Sequence, residues 1–253
     1  MQKSRKSNSA TETEYSNAKQ RNSESEIHHI DLHEDIDQID VTGPFEVFSR
    51  LPNSTYRLYG TTTSPLRDGH GLRLMADALL SDAPQLDLLH VPGSPGQEAL
   101  MENEAVLDWI RQQAAGARCV FSVCTGALIC GAAGLIKGHR ATTHWNSFDL
   151  LPFFGAIPVN ERVVLDGNWV FAAGVTAGID GALRVAAHLR GEKAAQVIQL
   201  DMAYAPEPPF QSGTPENAPP DVLAEARHSG QTLAARRLET ARRIATRLGT
   251  SEL

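Results

Sequence analysis

Cysteine is scarce and confined. The 253 residues hold three, Cys119, Cys124 and Cys130, all in one short stretch. An odd count so placed does not make a disulfide framework and points to a reducing compartment. Long apolar runs are missing as well. None approaches the ~20 residues of a membrane-spanning helix, and no signal-peptide core follows Met1. The expectation is a cytoplasmic protein with no membrane partner. Basic charge is in short supply: 23 Lys and Arg stand against 30 Asp and Glu, a net −7. A broad phosphate-binding face needs clustered cations, so nucleic acid is not an expected partner. Apolar residues are not lacking, at 42%, and the length suits one or two domains with a substantial core.

Residues 1–26 carry only Met1, Ala10, Tyr15 and Ala18 as hydrophobics. Such a segment cannot offset its ordering entropy and reads as a disordered N-terminal tail. Glu12, Glu14, Glu24 and Glu26 argue against a mitochondrial presequence. Residues 27–205 alternate β-rich runs with helical ones. Candidate strands are 55–62, 86–91, 119–123 and 169–173, and residues 98–113 place Leu100, Val106, Leu107 and Ile110 at helical spacing. This alternation predicts βαβ units: an α/β fold with a parallel sheet sandwiched by helices. Residues 206–253 open on a Pro-rich stretch that can be neither helix nor central strand. Residues 221–249 then read as one helix bearing Arg236, Arg237, Arg242, Arg243 and Arg247. A solvated amphipathic helix packed on the core or on a second subunit is favoured over a nucleic-acid contact. Its stripe of Leu223, Leu233, Leu238, Ile244 and Leu248 is more than the core need cover, which predicts a homodimer.

The chemistry gathers at Val120-Phe-Ser-Val-Cys-Thr-Gly126 and the residues just after it. An apolar strand runs into Cys124-Thr125-Gly126 and then into a small-residue helix, the pattern of a nucleophile elbow. The helix start should lower the thiol pKa. Cys119 and Cys130 read as structural thiols within the strand and the helix. Val91-Pro-Gly-Ser-Pro-Gly96 ends another buried strand, where free backbone N–H groups could face a developing negative charge. Asp40 precedes Thr42-Gly43-Pro44 and an apolar helical start, and its spacing alone reads as a turn or cap. His144 follows as a base for Cys124, a pairing that chance would also supply.

Several segments carry a resemblance: Asp40-Val-Thr-Gly-Pro-Phe-Glu-Val-Phe48, Asp87-Leu-Leu-His-Val-Pro-Gly93, Ser122-Val-Cys-Thr-Gly126, Arg140-Ala-Thr-Thr-His-Trp145, Gly174-Val-Thr-Ala-Gly-Ile-Asp180 and Tyr204-Ala-Pro-Glu-Pro-Pro-Phe210. They run in order over about residues 36–220. The chain resembles the ThiJ/PfpI superfamily, with its class I glutamine-amidotransferase-like, flavodoxin-like fold, and within it the isonitrile-hydrating branch. The Cys-Thr pair and the Tyr-Ala-Pro-x-Pro-Pro-Phe segment distinguish that branch from protease-like relatives. The resemblance implies a homodimer, no metal, no organic cofactor, and hydration of an isonitrile, R–NC, to an N-substituted formamide. It puts the nucleophile on Cys124, its neighbouring hydroxyl on Thr125 and the acidic partner on Asp40. Gly93, Ser94, Gly126, His144, Ala173 and Gly174 fall around the pocket or oxyanion position. Ser94 and Ala173 stand where the family has Gly, narrowing the backbone space there. Two other readings remain. One is a non-catalytic ligand-sensing domain of the kind joined to AraC-type regulators, for whose two helix-turn-helix units residues 221–253 are too few. The other is a redox or carbonyl-stress protein acting through Cys124.

The family's apolar first strand is here polar. Residues 27–37 include His28, His29, Asp31 and His33, and burying these unpaired would cost a few kcal/mol each. The expectation is a weak first strand. The same four side chains are candidate metal ligands, but their spacing matches no closed zinc pattern.

Overall fold

The computed structural model describes residues 25–32, as backbone, and residues 35–250. The expected tail falls almost wholly outside them, as do the side chains of His28, His29, Asp31 and His33. In chain order the elements are β1 (Ser25–Leu32), α1 (Gln38–Phe48), β2 (Ser54–Gly60), β3 (Leu66–Arg67), β4 (Arg73–Leu74), β5 (Ala78–Leu79), β6 (Leu88–Val91), α2 (Glu98–Met101), α3 (Glu104–Gly116), β7 (Cys119–Val123), α4 (Gly126–Ala132), β8 (Arg140–Ala141), a 3₁₀ segment (Trp145–Phe154), β9 (Ile157–Pro158), β10 (Val163–Asp166), β11 (Trp169–Ala172), α5 (Ala177–Arg190), α6 (Glu192–Asp201) and α7 (Pro220–Leu248).

Seven strands make one sheet in the order β10-β11-β7-β6-β1-β2-β5. All neighbours run parallel except β10 and β11. The sheet is therefore mixed, with an antiparallel strand at one edge of the expected parallel core. β1 is not marginal in position: it lies between β6 and β2 and pairs with both.

The central strands are apolar because both faces are covered. Leu88, Cys119, Phe121, Val123 and Val170 pack under α1, α5 and α6. Leu89, Val91, Val120 and Phe171 face α3, α4, the 3₁₀ segment and α7. Residues next to each other in the chain thus point into different cores, as the strand period of two requires.

The single helix expected over 98–113 is two. Asn103 is extended and its side chain accepts from the Val106 N–H at 3.3 Å, capping α3 and ending α2. The C-terminal helix, by contrast, is one element of 29 residues. Its apolar stripe is largely covered by its own chain: Ile244 is buried, and Leu238 and Leu248 pack against the core. That stripe therefore gives no reason for a dimer. Three of its arginines tie the helix down on the outside, Arg236 to Glu98, Arg243 to Glu102 and Arg247 to Glu104.

Parallel strands that share a direction bring their carboxyl ends to one edge. There the chain turns from β1 towards α1, from β6 into 92–97, from β7 into Cys124-Thr125, and from β11 into Ala173-Gly174.

Candidate active site

Cys124 follows β7 directly and has a φ of +55°, the left-handed region that a residue with a Cβ seldom adopts. That conformation costs on the order of 1–3 kcal/mol and must be held by its surroundings. Two hydrogen bonds hold it. The Cys124 N–H donates to the Ala172 carbonyl at 2.9 Å, and the Thr143 hydroxyl donates to the Cys124 carbonyl at 2.6 Å. The elbow also needs two glycines. A Cβ on Gly126 would stand 2.1 Å from the Val91 carbonyl oxygen, and one on Gly93 would stand 2.4 Å from the Thr125 nitrogen. Only without those atoms does the loop after β6 lie against the elbow.

Asp40 is fully buried, in the first turn of α1. It is not the cap that spacing predicts. Asp37 is, accepting from the Ile39 N–H at 3.3 Å, and this leaves the Asp40 carboxyl to point inward. Its Oδ2 accepts from the Gly93 N–H at 2.9 Å, while Oδ1 is buried without a hydrogen-bond partner of normal geometry. The Cys124 thiol is close enough to act on the Asp40 charge. Burial, and then the Asp37 charge, push the Asp40 carboxyl well above the usual carboxylate range. Burial, and then the Asp40 charge, push the Cys124 thiol up as well. The expected lowering by the helix start is therefore overturned. The Thr125 N–H and the Arg237 charge do pull the thiol down, but desolvation outweighs them. Two adjacent buried acids of this kind do not both ionise, so the pair keeps at least one proton near neutral pH.

Thr125 is buried, and its hydroxyl is engaged twice by one residue. It donates to the Ser94 carbonyl at 3.1 Å and accepts from the Ser94 N–H at 3.0 Å. Its proton is therefore already placed, and any further contact would use its remaining lone pair. The Gly93 and Ser94 N–H groups go to Asp40 and Thr125. The expectation of free N–H donors there is not met, because a buried N–H without a partner is too costly to leave. Ala173 and Gly174 sit half-buried just beyond the Ala172 carbonyl that holds Cys124. A Cβ on Gly174 would meet open space, so crowding does not dictate glycine there.

His144 precedes the 3₁₀ segment and its Nδ1 accepts from the Asn146 N–H at 3.3 Å. Burial, then the Arg237 charge, bring its pKa down to about 4. The ring is neutral near pH 7 with its proton on Nε2, and Nδ1 is not available as a base. Cys119 and Cys130 are buried, each thiol pushed up to about 12 by burial. Among the described residues no group of three or more His, Cys, Asp and Glu is placed to hold a metal ion.

One residue of the site escapes the sequence reading. Arg237, on α7, is 4% exposed. Its guanidinium donates to the Ser147 hydroxyl at 3.1 Å, the Ser94 carbonyl at 2.9 Å and the Gln97 Oε1 at 2.9 Å. The signal was there: Arg237 shares one helical face with Ala241, Ile244 and Leu248, a lone cation on an apolar stripe.

A helix-covered, largely parallel sheet with a strained, buried cysteine at an elbow beside a buried carboxyl defines an α/β protein of the cysteine-elbow class. The DJ-1/PfpI family model matches residues 29–188, and the chain belongs to the DJ-1/PfpI family. It is 48% identical over 213 residues to isonitrile hydratase of Pseudomonas putida, covering 84% of this chain and 93% of that one. It is similar in structure to a ThiJ/PfpI family protein from Pseudomonas syringae, with a TM-score of 0.82 and 33% identity over 88% of this chain and 90% of the other. A helix-turn-helix-type transcriptional regulator of Pseudomonas aeruginosa is 28% identical over 157 residues, which span 60% of this chain and 46% of the regulator.

Proposed function

We propose that this protein is a hydro-lyase that adds water to isonitriles, with Cys124 as nucleophile and Asp40 as proton shuttle. The observation that carries the reading is the buried pair itself, a cysteine at a strained elbow and a carboxyl that act on one another, both with raised pKa values. Its likeness to the isonitrile hydratase of Pseudomonas putida over most of both chains names the substrate class.

The chemistry balances. The terminal carbon of R–NC takes a proton from the Asp40 carboxyl as the Cys124 sulfur bonds to it, giving the thioimidate R–N=CH–S–Cys124 and an Asp40 carboxylate. That carboxylate then takes a proton from water. The hydroxide adds to the thioimidate carbon, and Asp40 passes the proton to the substrate nitrogen. Finally Asp40 accepts the hydroxyl proton, the C=O bond forms, the C–S bond breaks and R–NH–CHO departs. Cys124 is left as thiolate beside a protonated Asp40, the starting state. No metal or organic cofactor enters these steps. Thr125 fixes the Ser94 loop against the elbow, and the neutral His144 ring is not the base in these steps. Incubation with cyclohexyl isocyanide should yield N-cyclohexylformamide, detected by mass spectrometry. A mixture that retains all its isocyanide would overturn the reading.

The two other readings have less support. Against the regulator reading, residues 220–248 form one unbroken helix whose Arg237 reaches the elbow, not a helix-turn-helix. A redox sensor works best with an exposed thiol that oxidants can reach, whereas Cys124 is buried. We also propose a cytoplasmic homodimer. Three free thiols favour a reducing compartment. The dimer follows what the resemblance to the ThiJ/PfpI superfamily implies. Light scattering should give twice the 27.4 kDa of one chain; a single-chain mass would exclude the dimer.

A further inference from the structure

We infer that Arg237 is a positioning residue that supplies the counter-charge for the Cys124 sulfur, so that the C-terminal helix completes the site. The inference rests on the proposal that Cys124 is the nucleophile, and it concerns a residue beyond the 29–188 span of the family model.

Arg237 lacks what its neighbours on α7 have. The other arginines of that helix with partners across the interface meet carboxylates: Arg236 meets Glu98 at 3.2 Å, and Arg243 meets Glu102 at 2.9 Å. Arg237 is the buried one, yet its hydrogen-bond acceptors are a hydroxyl, a backbone carbonyl and a side-chain amide. Its Nε is buried with no acceptor. A guanidinium stays charged in any protein environment, so a buried one needs an anion within the same low-dielectric region. Glu98 acts on it but is shared with Arg236. The remaining group whose negative charge acts on it is Cys124, and Cys124 and Arg237 act on one another across the elbow.

The hydrogen bonds give the same cation a mechanical hold. The Ser94 carbonyl accepts from both Arg237 and the Thr125 hydroxyl. The residue before it, Gly93, donates to Asp40. Arg237 therefore grips the two-residue turn that holds one partner of the pair and covers the other. During hydration the negative charge leaves the sulfur and returns to it, and a fixed cation that acts on the sulfur needs no rearrangement at any step.

The charged and titratable groups acting on the thiol are Asp40 from α1, Asp37 from its cap and Arg237 from α7. Those around Arg237 include Glu98 from α2, Arg236 on its own helix and the His144 ring. The test reads the thiol directly. Iodoacetamide alkylates the thiolate, with the C–S bond forming as iodide leaves, and mass spectrometry assigns the label to Cys124 across a pH series. Arg237→Gln keeps a hydrogen-bond donor and removes the charge; Arg237→Lys keeps the charge. R237Q should move the alkylation midpoint up by about one pH unit, slowing the reaction roughly tenfold below the midpoint, while R237K should stay near wild type. R237M, whose apolar stem fills the same space, serves if R237Q lacks the wild-type circular dichroism spectrum. Neutral variants with the wild-type midpoint would overturn the counter-charge and leave Arg237 a packing residue. Because alkylation needs no isonitrile turnover, that result is separate from failure of the hydratase proposal.

Discussion

Cys124→Ala should abolish formamide production, a loss of at least about 10⁴-fold, with the fold retained. Alanine has the same Cβ as cysteine, so the strain at φ +55° does not change. The backbone bonds to Ala172 and Thr143 do not involve the sulfur. What disappears is the atom that forms the thioimidate, and without it water must attack an isonitrile directly. Cys119→Ser and Cys130→Ser should retain turnover. Both thiols lie in the core with pKa values near 12, and neither is ionised at working pH. Each serine would bury a hydroxyl at about 1–3 kcal/mol, read as a lower Tm and not as a lower rate per folded molecule. Turnover surviving in Cys124→Ala would remove the covalent route.

Asp40→Asn should lower the rate by roughly 10²–10⁴-fold, the usual worth of general acid–base catalysis. The fold should hold, because the amide oxygen can still accept the Gly93 N–H that now bonds to Oδ2. A second effect has the opposite sense. The Asp40 charge raises the Cys124 pKa, so a neutral amide should bring the thiol pKa down and speed its alkylation near neutral pH. A slower enzyme with a more easily ionised nucleophile is the signature of a missing proton shuttle. A residue that only shaped the turn would leave the rate unchanged. Asp40→Glu should be intermediate, since the carboxyl survives but moves by one methylene from the sulfur. Wild-type kcat in Asp40→Asn would sink the shuttle.

The elbow was legible because it is local. An apolar run, a cysteine and two small residues decide the turn within a few positions, and Cys124 lies where that pattern puts it. Asp40 was not legible from spacing, which reads it as a cap. Only the resemblance put it beside Cys124, since the contact spans the sheet. The thiol pKa was misjudged for a related reason. The helix start is visible in the sequence, but burial and the facing carboxyl are properties of the packed molecule. The break at Asn103 was missed because the apolar spacing of α2 and α3 stays in phase across it. Residues 27–37 predict a weak strand by their polarity, and the backbone nonetheless puts β1 mid-sheet. Ladder hydrogen bonds do not depend on side-chain polarity.

The sequence separations at the site bear on how the chain folds. The Gly93–Asp40 bond joins residues 53 apart, Thr143 reaches Cys124 across 19, and Arg237 grips Ser94 across 143. Closing such loops costs entropy that local turns do not, and contacts of high sequence separation slow folding. The strand–turn–helix around Cys124 can form from its own segment, but its cation arrives only when α7 docks. Folding kinetics therefore set two dates for this centre: an early one for its shape and a late one for its charge.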